Sequence, residues 1–183
     1  IKILVLDEAD QMLDAGFFPA IRRILRATPT HRQTALFGAT MPPAIRHLIH
    51  SYFRNPLWVR VGNELPVNKV HQQYCEVAMR DKQVVLMELL DKWGKGQTLV
   101  FRRTQIGIDR LVPALNRQGY RAMGIHGGMK QSDRETAMQT FRHGDLQILV
   151  ATNLASRGID IPAMERVVNY DIPESVEEYI HRI

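Results

Sequence analysis

The sequence predicts an α/β protein built on parallel sheets, and three observations carry that prediction. Short apolar, β-rich runs recur along the chain, helical patterns separate most of them, and the runs are apolar throughout. A strand without polar alternation is one buried on both faces, as in a parallel sheet covered by helices on both sides.

Taken in order, the runs are Ile1–Leu6, Thr34–Phe37, Leu57–Val61, Thr98–Phe101, Ala122–Ile125, Gln147–Val150 and Val167–Tyr170. Between them, Phe17–Ala27 places Ile21, Ile24 and Leu25 on one helical face, and Pro43–Phe53 does the same with Ile45, Leu48 and Ile49. Lys82–Trp93, Ile106–Arg117 and Ser132–Arg142 repeat the pattern. Ser132 with Glu135 and Ser175 with Glu178 have capping-box spacing, and Val176, Ile180 and Ile183 form an inward stripe on a last helix.

The stretch GNELPVNKVHQ, Gly62–Gln72, breaks the rhythm: it is polar, holds a proline and has no helical period. It divides the chain into a first α/β portion over residues 1–62, a linker over 63–72 and a second portion over 73–183. Both ends are abrupt, one in a core strand and one in a helix, which is the expectation for a piece of something longer.

The 183 residues are 45% hydrophobic and carry a net charge of +5, which suits a polyanionic partner. One cysteine, Cys75, leaves no internal disulfide and fits a reducing, cytoplasmic setting. No apolar stretch approaches the ~20 residues of a membrane span.

Three strands share one form, QTALFGAT, QTLVFRRT and QILVATN, each ending in small or hydroxyl residues. Ligands of parallel sheets bind at these carboxyl ends. The first strand instead ends in Asp7, Glu8 and Asp10. Mg²⁺ takes oxygen ligands and keeps several waters, so one or two carboxylates suffice. A second carboxylate beside it can orient or deprotonate a water. The bland alternative is a solvated turn, with Asp10 capping the segment that follows.

The ordered series DEADQMLDAGF, QTALFGATMP, HGGMKQSDRETAMQTF, ATNLASRGIDIP and EYIHRI closely resembles the DEAD-box ATP-dependent RNA helicase family over essentially the whole chain. The resemblance implies two RecA-like domains, the first present only as its C-terminal part and the second truncated in motif VI. It implies ATP and Mg²⁺ as cofactors and RNA, single-stranded or a short duplex, as partner. Asp7 would position Mg²⁺, in part through water, Glu8 would activate the hydrolytic water, and Asp10 would link to motif III. His181 and Arg182 complete the implied catalytic set. Arg157, Gly158 and Asp160 would serve the nucleotide side, with Asp160 at the ribose and Arg157 in an interdomain network.

Gly38-Ala39-Thr40 occupies the place of Ser-Ala-Thr in motif III. The serine hydroxyl normally bonds the last Asp of motif II, so we expect the Asp10 contact to pass to a backbone amide or a water, with Thr40 still able to donate. For RNA the resemblance offers Gly127, Gln131, Arg134 and Thr152. Gln131 and Arg134, three residues apart, share a helix face. Arg102 departs from the family pattern and is expected either to touch phosphate or to be exposed. His126 is expected to be a packed turn residue. Asn153 stands where many members have Asp.

These contacts are directed at phosphates, so RNA recognition should be blind to sequence. No G-x-x-x-x-G-K-[ST] loop occurs, so the piece alone is expected not to hydrolyse ATP. The function implied for the intact protein is RNA-stimulated ATP hydrolysis that unwinds short duplexes or remodels ribonucleoprotein, in ribosome-assembly or RNA-decay settings. Competing readings are an ATP-gated RNA clamp without unwinding, favoured by Gly38, a Mg²⁺-dependent nuclease, and a plain RNA-binding module made of the second domain.

Overall fold

The computed structural model describes every residue except 15, 62–69, 154, 156–163 and 183. Most of the expected linker, and the expectations for Arg157, Gly158, Asp160 and Ile183, therefore lie outside the described residues. The chain divides into two compact units, Ile1–Leu65 and Pro66–Ile183.

In the first unit, β1 (Ile3–Leu6) and β2 (Gln33–Leu36) pair in parallel, with Val5 opposite Ala35. Helices α1 (Ala9–Asp14) and α2 (Phe18–Ala27) connect them, and α3 (Pro43–Tyr52) follows β2. A core of Leu6, Ala9, Ile21, Leu25, Ile45, Leu48 and Ile49 joins strand to helices. Alternation of side chains along a strand decides the rest. Leu4 and Leu6 turn inward, whereas Ile3 and Val5 are 63% and 54% exposed. This small sheet is thus covered on one face among the described residues, not on both.

Two further expectations fail here for related reasons. Ile24 is exposed, because the face of α2 that meets the core is that of Phe18, Ile21 and Leu25. Leu57–Val61 is not a strand: Leu57, Val59 and Val61 are exposed and no neighbouring strand pairs with them among the described residues. An apolar run makes a strand only where a ladder partner is at hand.

In the second unit, α4 (Lys82–Trp93), α5 (Gln105–Arg117), α6 (Gln131–Arg142) and α7 (Val176–Arg182) accompany β3 (Thr98–Phe101), β4 (Ala122–Ile125), β5 (Ile148–Ala151) and β6 (Arg166–Asn169). All pairings are parallel, in the order β4-β5-β3-β6. β3 and β5 are buried at every position. One face packs Leu99, Phe101, Leu149 and Ala151 against Ala137 and Phe141 of α6. The other packs Val100, Ile148 and Val150 against Leu86 and Leu90 of α4 and Ile108, Leu111 and Leu115 of α5. The two-sided burial read from the apolar runs holds in this unit.

Helix starts separate sequence pattern from use. Ser175 Oγ accepts the Glu178 amide at 3.0 Å, and Glu178 reaches back to the Glu174 amide at 2.7 Å, a reciprocal cap. The Ser132–Glu135 box does not form, because the cap position lies two residues earlier, at Lys130, and Ser132 is already inside α6. Glu135 instead accepts from the Gln131 side-chain amide at 2.8 Å. Val176, at the start of α7, is exposed rather than inward.

Candidate ATPase and RNA-binding residues

The acids after β1 occupy three different environments. Asp7 and Glu8 are exposed at the strand's carboxyl end, and Asp7 Oδ1 accepts the Glu8 amide at 3.0 Å. Glu8 has φ +48°, the left-handed region that a residue with a Cβ visits at a cost. That turn lets the Ala9 amide reach Phe37 O at 3.0 Å, while the Phe37 amide bonds Leu6 O at 2.8 Å. The strand end is thereby clamped to β2 while the Glu8 side chain stands off it.

Asp10 is buried, 2% exposed, in the first turn of α1. Its Oδ2 accepts both the amide and the hydroxyl of Thr40, at 2.7 and 2.8 Å, and its Oδ1 accepts the Gln11 amide at 3.1 Å. Such bonds compensate a buried carboxylate. The expectation that a backbone amide replaces the missing serine is met, with Thr40 supplying both donors. A Cβ on Gly38 would lie 3.1 Å from Asp10 Oδ1 and 3.2 Å from its Cγ. Ala39 is exposed beside it.

In the second unit the carboxyl ends of four parallel strands form a row. At the end of β4, His126 Nδ1 accepts the Gly128 amide at 3.2 Å, which leaves the proton on Nε2, 3.3 Å from Asp109 Oδ1. His126 is therefore the packed turn residue expected from its sequence context. Gly128 lies close to the Gln105 side chain, whose Oε1 would stand 2.7 Å from a Cβ there. Gly127 is exposed in the same turn, and Arg134 donates to Gln131 Oε1 at 3.3 Å, so the two residues do share a face. Beyond β5, the Thr152 amide bonds Ile125 O at 3.2 Å, tying that loop to β4.

Arg102, at the end of β3, meets neither expectation. Its guanidinium stacks on the Tyr170 ring at 4.3 Å and pairs with Asp171 at 3.4 Å, with the side chain 19% exposed. Gly107 of α5 makes the space, for a Cβ there would stand 2.5 Å from the guanidinium. Arg102 is a packed cation within its own unit, not an exposed residue free to meet phosphate.

Arg182 is likewise enclosed, its side chain 3% exposed. It donates to Asn153 Oδ1 at 3.0 Å, Asn169 Oδ1 at 2.7 Å, Asp171 O at 3.1 Å and Glu178 Oε1, and it lies over the Phe101 ring at 4.6 Å. Burial pulls its pKa down, and Glu178 opposes that shift. His181, its neighbour, is half-buried.

Asp171 was not singled out from the sequence. It accepts the Arg103 amide at 2.9 Å and pairs with Arg102 and, at 3.6 Å, Lys82. The signal was present: an acid just past an apolar strand, as at Asp7. Among the described residues no group of three or more His, Cys, Asp or Glu could hold a metal ion. Cys75 is free and exposed, and no described helix is long and apolar enough to cross a membrane.

Comparison with known proteins agrees with this layout. The DEAD/DEAH box helicase family matches residues 1–48, and the helicase conserved C-terminal domain matches residues 81–183. The chain is 43% identical over its whole length to the DEAD-box ATP-dependent RNA helicase CshA of Geobacillus kaustophilus and 41% identical to that of Bacillus subtilis. It spans 39% and 37% of those relatives. Among solved structures it resembles Saccharomyces cerevisiae Dbp5 bound to RNA and ADP BeF3, with a TM-score of 0.83 at 33% identity. It covers 49% of that chain. A DEAD box protein from Methanococcus jannaschii matches with a TM-score of 0.61 at 35% identity, again with 49% of that chain covered.

Proposed function

Because this chain belongs to the DEAD-box helicase family, we propose that the protein it represents is an ATP-dependent RNA helicase. In it, RNA-stimulated ATP hydrolysis drives local unwinding of short duplexes or remodelling of RNA–protein complexes. The observation that carries this reading is the separation of roles among the acids after β1. Asp7 and Glu8 are exposed at a strand end, and Asp10 is buried against Thr40 of the next strand end.

The donor set fits a hard cation that keeps most of its waters, since an exposed Asp7 carboxylate beside Glu8 is what Mg²⁺ bound to a nucleotide needs from protein. When bound, Mg²⁺ neutralises charge on the phosphate oxygens of ATP. Asp7 orients it, and Glu8, turned off the strand by its left-handed backbone, takes a proton from the attacking water. Asp10 and Thr40 keep the ends of β1 and β2 in register. In the second unit, Gln131, Arg134, Gly127 and Thr152 contact RNA phosphates without reading bases. Arg182 acts as a positioning residue that fixes Asn153 and so the loop after β5. Arg157, Gly158 and Asp160 are proposed for the nucleotide from the motif alone.

Two hydrogen bonds from Thr40 to Asp10 replace the contact Gly38 lacks, which supports coupled unwinding over a passive clamp. The test uses the intact protein with Glu8→Gln. It should retain RNA binding in the presence of ATP and lose turnover and strand displacement together. Normal turnover by that variant overturns the reading.

A further inference from the structure

The first unit carries a concave feature between two of its helices. Helices α2 and α3 enclose a cleft of about 330 Å³ lined by Phe18, Arg22, Arg26, His47, Ser51 and Tyr52, among others. Each helix contributes a pair one turn apart: Arg22 and Arg26 from α2, His47 and Ser51 from α3. The Arg22 guanidinium lies over the Phe18 ring at 5.7 Å, and its Nε donates to the Tyr52 hydroxyl at 3.3 Å. That bond fixes the guanidinium at the cleft wall and, as the largest cause, lowers the Tyr52 pKa.

No carboxylate lines the cleft among the described residues. Nor does either helix contain one: α2 reads FPAIRRILRA and α3 reads PAIRHLIHSY. Two arginines one turn apart repel each other, and a counter-anion relieves them. A surface helix normally intersperses both signs, so two helices without an acid, with Arg22, Arg26 and His47 at the cleft, mark a site that meets negative charge from elsewhere.

We propose that this cleft is a docking site for an acidic protein segment, receiving an aspartate or glutamate side chain between Arg22, Arg26 and His47. The lining suits this occupant, since Phe18 and Leu48 stand beside Arg22 and Arg26, and an acidic side chain brings an apolar stem together with its charge. A planar guanidinium matches a carboxylate with two parallel hydrogen bonds, while the Phe18 ring accepts the stem's methylenes. None of the lining residues is among those assigned to ATP or Mg²⁺, so the site does not depend on the ATPase reading.

The test is fluorescence anisotropy of a labelled Glu-Gly repeat peptide on the full chain, with a Gln-Gly repeat as control. The Glu peptide should bind with salt-sensitive affinity and the Gln peptide should not. Arg22→Gln with Arg26→Gln should weaken binding at least about tenfold, as expected for loss of charge-assisted contacts. Arg23→Gln removes the same kind of charge outside the cleft lining and should leave affinity unchanged. Ser51→Trp, at an exposed position, should block the cleft without altering charge. Equal weakening by Arg23→Gln, or undiminished binding by Ser51→Trp, overturns the proposal. So does loss of single-stranded RNA affinity in the same proportion as peptide affinity in the Arg22/Arg26 variant, which would make the face a nucleic-acid surface.

Discussion

One oxygen of Asp10 accepts two hydrogen bonds from one residue, the amide and the hydroxyl of Thr40, at 2.7 and 2.8 Å. The carboxylate is buried, so each bond offsets a desolvation cost that water cannot offset there. Thr40→Val keeps the shape and the amide bond and removes the hydroxyl. It should destabilise the first unit by about 1–3 kcal/mol, the range for a buried partner of a charged group. Urea unfolding of this chain and of the variant measures it, and an unchanged midpoint would show that the hydroxyl contributes nothing.

Gly38→Ser is the complementary change. Its Cβ would stand 3.1 Å from Asp10 Oδ1, tight enough that the carboxylate must shift by a few tenths of an ångström. Because Thr40 already fixes Asp10, the added hydroxyl should alter duplex unwound per ATP hydrolysed in the intact protein by less than about twofold, under 0.5 kcal/mol of coupling. A larger change in that ratio would mean that glycine sets the coupling.

Glu8 combines a strained backbone with the proposed catalytic base. At φ +48° glycine is at ease and glutamate is not. Glu8→Gly should therefore raise the stability of the first unit by up to about 1 kcal/mol while abolishing ATP turnover in the intact protein. Glu8→Gln keeps the strain, so it should lose turnover without the gain. Thermal melts paired with ATPase assays separate the two, and a loss of stability in the glycine variant would contradict the strain argument.

Arg182 engages Asn153, Asn169, Asp171 and Glu178 with four donors while buried over Phe101. Lysine has one compact ammonium and no fork. Arg182→Lys should cost the second unit about 3 kcal/mol, the scale for breaking a buried charged network. Wild-type-like unfolding of that variant would leave no structural basis for its burial.

The second unit was legible because its strands are buried on both sides: Thr98–Phe101 and Ala122–Ile125 keep their predicted bounds, and Lys82–Trp93 forms its helix as read. Leu57–Val61 shows the limit, since strand-like composition cannot supply a pairing partner. The acids after β1 were readable as motif chemistry, and Thr40 was noted as a surviving donor. That it gives Asp10 both hydrogen bonds depends on β1 and β2 lying side by side, a long-range fact. Arg102 went astray for the same reason. Its partners, Tyr170 and Asp171, are distant in sequence and become neighbours only because β6 pairs with β3.

Alkaline pH offers a last test, at a residue remote from the strand ends. The Tyr120 hydroxyl lies between the Asp91 carboxylate and Met87 O, the latter at 3.3 Å, and joins the end of α5 to α4. Its pKa is raised to about 12, by burial first and then by the hydrogen bond and charge of Asp91. Ionisation would place a phenolate against a carboxylate. A group whose folded pKa lies above its unfolded value of 10.0 contributes stability fully present below that value. The contribution is lost as pH rises from about 10 toward 12. Tyr120→Phe cannot ionise, so the gap in urea midpoint between wild type and variant should be constant from pH 7 to about 9 and shrink steadily above 10. A gap that does not change with pH would show that Tyr120 titrates alike in the folded and unfolded chain.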